Sequence, residues 1–172
     1  MSKTDFSAAP FLLALLFLFL QFCVKPPNYP DEPVITFKGL SKNMQKQKTL
    51  DPSDSLLVTI TYTDGDGDLG LANKNKDILV TDTRDGTTDT LSLPMVEQQG
   101  AGNGISGEIS FIVGPGCCIP PPLNGILLPP CDPNVAPDFL RDTVIYQIRI
   151  KDRAGHLSNI VQTAPITLIC KQ

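Results

Sequence analysis

The sequence predicts an all-β protein, seven strands folded as an antiparallel two-sheet sandwich and preceded by a short apolar signal or anchor helix. Three observations carry that reading. Beyond residue 33 apolar side chains recur at every second position with threonines between them, and no helical period appears after residue 30. Proline (16 residues) and glycine (13) are frequent and tryptophan is absent, punctuation that suits short strands and tight turns. One uncharged stretch, residues 6–24, stands apart from everything that follows.

That stretch comes first. Lys3 precedes the apolar run Phe11–Leu20, and a proline-rich polar segment follows it. A basic start, a short apolar centre and a processing site are the layout of a secretory signal. The run is ten residues long, where a helix crossing the hydrocarbon layer needs roughly twenty. Leu20-Gln21-Phe22-Cys23 resembles the lipobox of bacterial lipoproteins, although Gln21 and Phe22 stand where small residues are usual. The resemblance implies that residues 1–22 are a signal peptide and that Cys23 carries the lipid. The alternatives are plain secretion, an uncleaved anchor over Phe6–Val24, or a buried helix. The last is disfavoured because no polar face interrupts the run. Residues 23–33 then form a tether: four prolines after Val24 hold the chain extended, lifting a domain at 34–172 away from the lipid.

The strands follow in order. Val34–Leu40 is the first. Ser55–Thr63 puts Leu56, Val58, Ile60 and Tyr62 on one face. Asp77–Thr83 and Thr88–Leu93 flank Arg84-Asp85-Gly86-Thr87, a hairpin turn signal. Ile105–Val113 aligns Ile105, Ile109, Phe111 and Val113. Thr143–Lys151 aligns Val144, Tyr146, Ile148 and Ile150. Asn159–Thr163 and Ile166–Cys170 make a last strand interrupted at Pro165, which marks an edge or a bulge.

The stretch Tyr146-Gln-Ile-Arg-Ile-Lys-Asp-Arg-Ala-Gly-His-Leu-Ser-Asn159 resembles the closing hairpin of bacterial immunoglobulin-like and fibronectin-like domains, with His156 in place of the usual Asn. Together with the leader, the chain is similar to small Gram-negative surface lipoproteins carrying one such domain. The resemblance implies a seven-stranded immunoglobulin-like sandwich. In that order the loops Asp64–Lys76 and Asp152–Ser158 share one end, and the long segment Gly114–Arg141 lies at the other, where the last strand also finishes.

That long segment contains eight prolines and three of the four cysteines beyond Cys23: Cys117, Cys118 and Cys131, with Cys170 in the final strand. An even number in an exported chain reads as disulfides. Adjacent cysteines rarely bond to each other, so one of Cys117 and Cys118 is expected to pair with Cys131 and the other with Cys170. A zinc site lacks the paired C-x2-C spacing it needs. The stapled loop either caps the core or offers the stiff apolar surface Ile119–Pro130 to a partner.

Asp64-Gly-Asp66-Gly-Asp68 is the chain's one conspicuous chemical constellation. Carboxylates at alternate positions, spaced by glycines that tolerate a tight turn, converge readily on a hard cation. The run resembles the start of EF-hand and related calcium loops. It departs from them at Leu69, where glycine is expected, and at Asn75, where a closing glutamate is expected. Asp152 from the neighbouring loop is the expected further ligand, with Asn73, Asn75 and Asp77 as other neighbours. The cation would be calcium. The alternative is a solvated turn whose aspartates cap backbone N–H groups.

A net charge of −4, unchanged when residues 1–22 are removed, argues against nucleic acid. His156, Ser158 and Asp152 form a serine triad only on paper, and no glycine-rich phosphate loop opens a helix. The expected protein is therefore non-enzymatic. It is a module lipid-anchored in the cell envelope, as an outer-membrane lipoprotein, and it serves a structural role or binds an envelope protein or glycan. The rival reading is an adhesion-type module that binds its partner through a calcium-stabilised aspartate loop.

Overall fold

The computed structural model describes residues 28–70, 76–94, 96, 104–132, 136 and 138–171. The signal segment, Cys23, Asn73 and Asn75 lie outside them. Among the described residues the chain is all-β, without a helix, and forms ten strands: β1 (Val34–Leu40), β2 (Met44–Lys46), β3 (Leu56–Asp64), β4 (Lys76–Asp82), β5 (Thr88–Ser92), β6 (Ile105–Val113), β7 (Arg141–Val144), β8 (Tyr146–Ile150), β9 (Val161–Gln162) and β10 (Ile166–Ile169). They are hydrogen-bonded as three sheets, ordered β1-β3-β6, β2-β10-β7 and β5-β4-β8-β9. Every pairing is antiparallel except that of β2 with β10.

Ten strands among the described residues stand where seven were expected, from two divided strands and one short addition. The expected strand 143–151 divides at Ile145 because β7 pairs with β10 while β8 lies between β4 and β9. The final strand divides in the same way, β9 joining β8 and β10 joining β7. In both places the chain crosses from one sheet to another, which no period-two pattern records. The short strand β2 has no apolar alternation: Gln45 is its only fully buried residue.

The inward positions of β3 (Leu56, Val58, Ile60, Tyr62), β8 (Tyr146, Ile148, Ile150) and β10 (Ile166, Leu168) meet in one core with Ile35, Ile78, Ile109 and Phe111. Burying each large aliphatic side chain contributes about 1.5–3 kcal/mol. Pairing of β3 with β6 sets the long axis. Leu56 faces Val113 at one end and Asp64 faces Ile105 at the other, and nine residues of strand span about 30 Å.

The disulfides lie at the Leu56–Val113 end. Cys117 is bonded to Cys131 and Cys118 to Cys170. Buried Gln47 reinforces the second link, donating from Nε2 to the Cys170 carbonyl (2.6 Å) and accepting from the Cys118 N–H at Oε1 (3.2 Å). Arg84, in the β4–β5 turn, ties the loop to the sheet. Its guanidinium is paired with Asp82 and Asp142 and donates to the Cys117 carbonyl. Between the cysteines the chain makes a small hairpin with Leu123 bridged to Ile126. Asn124 (φ 51°) and Gly125 (φ 81°) form its two-residue turn. Ile126 and Leu127 project from it, 68% and 82% exposed.

Candidate metal centre

The aspartates sit at the opposite end, and the strand pattern explains how. The side chains of Leu56, Val58, Ile60 and Tyr62 point into the core, and Asp64, next in that alternation, does the same and is fully buried. Beyond it the chain turns at Gly67 (φ 70°), so Asp66 faces solvent and Asp68 swings back towards the protein. Leu69 is fully buried and pins the loop to the core, which accounts for its presence where a calcium loop would carry glycine. Gly70 (φ 69°) takes the second reversal instead.

The hairpin between β8 and β9 supplies the third carboxylate. Asp152 is buried and its Oδ1 caps the turn, accepting from Gly155 N–H (2.6 Å) and His156 N–H (2.7 Å). The two loops are laced together. Arg153 Nε donates to the Asp68 carbonyl (2.7 Å), and Ala154 N–H donates to Asp68 Oδ2 (2.9 Å). One carboxylate oxygen each from Asp64, Asp68 and Asp152 consequently lies within 4.8 Å of the others. Oxygens on a common calcium at about 2.3–2.6 Å are at most about 5 Å apart, so this spacing fits one ion.

Two oxygens of this cluster also lack a hydrogen-bond donor. Asp64 Oδ2 accepts from Asp68 N–H (2.9 Å), but Asp64 Oδ1 and Asp68 Oδ1 are buried with no hydrogen-bond partner. A buried carboxylate oxygen left without a donor is costly. Burial pushes the Asp64 carboxyl up to about 6, and the neighbouring Asp66, Asp68 and Asp152 push the same way against the Asp68 N–H bond. Burial, followed by the Asp152 and Asp66 charges, raises Asp68 as well. His156 Nδ1 lies 2.8 Å from Asp152 Oδ2, and that hydrogen bond raises the imidazole above its usual value.

Of the four aspartates expected from sequence, Asp64, Asp68 and Asp152 are brought together and Asp66 is not. Asp77 is buried, yet its carboxylate is not one of the converging three. The paper triad does not assemble as a nucleophilic site. His156 turns to Asp152, while the buried Ser158 accepts from Ile150 N–H at Oγ and donates from it to the Asn159 carbonyl.

Sequence reasoning missed the contribution of Tyr29 and Pro30. The Pro30 carbonyl accepts from Gly65 N–H (2.7 Å), and the chain passes so closely that a Cβ on Gly65 would fall 2.5 Å from the Tyr29 carbonyl oxygen. No motif marks that approach apart from the glycines themselves. Comparison of the chain with protein-family models, curated proteins and solved structures finds no match.

Proposed function

We propose that this protein is a non-enzymatic, lipid-anchored module of the cell envelope, an immunoglobulin-like sandwich whose aspartate end is held together by calcium. The observation that carries the calcium reading is Asp64. It is a fully buried carboxylate with an unpartnered oxygen, set among two further carboxylates at ligand spacing. The strand order supports the sandwich: β1-β3-β6 and β5-β4-β8-β9 are separate sheets, and β2 runs parallel to β10. Two disulfides favour an oxidising compartment outside the cytosol. They accord with Cys23 as the lipid attachment point and with export of the domain.

Calcium suits this site better than magnesium. Three protein carboxylates converge here, a set that suits the larger ion, whereas the smaller ion keeps most of its own water. Bound there, the ion joins the end of β3, the aspartate loop and the β8–β9 hairpin, presenting these loops as one rigid surface to a protein or glycan partner.

Thermal unfolding in millimolar calcium against chelator tests the reading. A ligand held by the native state alone raises stability by RT ln(1 + [L]/Kd), about 2.7 kcal/mol at a hundred times Kd. A clear rise in midpoint is expected with calcium, and an unchanged midpoint would refute the site.

A further inference from the structure

Residues 28–30 enter the domain at the aspartate end, not at the disulfide end. The contacts there are close. Gly65 N–H donates to the Pro30 carbonyl (2.7 Å) one residue along from Asp64. A Cβ on Gly104 would meet the Tyr29 ring at 2.9 Å, the Asp64 carbonyl at 3.3 Å and the Gly65 carbonyl at 3.6 Å. Tyr29–Pro30, the end of β3 and the chain leading into β6 therefore meet beside the three carboxylates. No side chain at 65 or 104 separates them.

The same residue pair fixes both features. Asp64 contributes the buried carboxylate, and its Oδ2 holds Asp68 N–H. Gly65, its neighbour, contributes the N–H that holds Pro30. An ion drawing Asp64, Asp68 and Asp152 together fixes the backbone at 64–65, and with it the platform on which Tyr29 and Pro30 rest. Without the ion, three like charges at this spacing repel one another and loosen that platform.

We propose that cation binding at Asp64, Asp68 and Asp152 clamps the segment Tyr29–Pro30 onto the domain, so that calcium sets the domain's orientation on its N-terminal tether. This rests on the calcium reading given above. The clamp is a joint: engaged, the domain and the entering chain move as one body; released, the domain swivels about residues near Asp31–Glu32. Linkage makes the effect reciprocal, because a segment that calcium clamps must itself raise calcium affinity.

The test uses the full chain in detergent and the metal alone. Tyr29→Trp introduces the protein's only tryptophan, and its fluorescence anisotropy is followed during a calcium titration alongside calorimetric measurement of binding. Anisotropy should rise with the midpoint that calorimetry gives. Gly65→Ala, which forces the segment away, should weaken calcium binding about fivefold or more, within the usual range of coupling between sites. Tyr29→Ala, a milder change that leaves the strands intact, should act in the same direction. Calcium heat with flat anisotropy and unchanged affinity in Tyr29→Ala would overturn the clamp and leave the metal site standing. Absence of calcium heat in the unmodified chain would overturn both.

Discussion

Asp64→Asn should stabilise the metal-free protein at neutral pH and remove its response to calcium. The Asp64 carboxyl is pushed up to about 6 by burial, against 3.8 ordinarily. The native state therefore binds more protons than the unfolded chain between about pH 4 and about pH 6. Stability of the chelated protein falls as pH rises through that window, and the full penalty is present above it. Roughly two pH units at about 1.4 kcal/mol each gives a penalty of about 3 kcal/mol. Asparagine carries no charge to desolvate. Its carbonyl still accepts from Asp68 N–H. Urea unfolding followed by circular dichroism, in chelator, should find the variant more stable by about 3 kcal/mol near pH 7 and equal to the parent near pH 4. In calcium at about a thousand times Kd, which adds about 4 kcal/mol to the parent alone, the order should reverse. A variant less stable than its parent in chelator near pH 7, or a difference that ignores pH, would show that Asp64 is not held in the cost-bearing environment described above.

The two disulfides should contribute unequally. Cys118–Cys170 spans 52 residues and Cys117–Cys131 spans 14; in the chain-entropy treatment these correspond to about 4 and about 3 kcal/mol. Paired Cys→Ala variants in chemical denaturation check both values, and a larger loss from the short link would contradict the ranking. Anchoring is checked by labelled-palmitate incorporation in a bacterial host: label should enter the unmodified chain and not Cys23→Ala, and equal labelling would remove Cys23 as the attachment point.

Much of the architecture was legible because β-strand side chains alternate. Leu56 to Tyr62 and Tyr146 to Ile150 show period-two burial, and β1 and β6 occupy their expected spans. The sheet crossings at Ile145 and before Ile166 were not legible. At Ile145 the strand changes partners while keeping its alternation, so only hydrogen bonding distinguishes the two halves; before Ile166 the break was marked by Pro165, but not the change of sheet. β2 was invisible because its buried residue is a polar glutamine, held by a side-chain bond from Nε2 to the Asp54 carbonyl (2.7 Å). At the aspartate loop, extending the Leu56–Tyr62 alternation by one step places Asp64 inside, so the buried carboxylate was written in the pattern. Asp66 was grouped with the other carboxylates because spacing in sequence cannot show that it faces solvent beside the turn at Gly67. Asp152 was reachable only through topology, by asking which loops share an end.

The position of β10 has a consequence for the order in which the molecule is completed. β10 is the middle strand of its sheet, between β2 and β7, and follows every other named strand in the chain. Cys170, just beyond it, holds the far side of the longer covalent loop. A nascent chain that stops short of Ile166 leaves β2 and β7 with a gap between them and Cys118 without its native partner. Completion of this end therefore waits on the β10 segment, which closes the sheet and the longer covalent loop together.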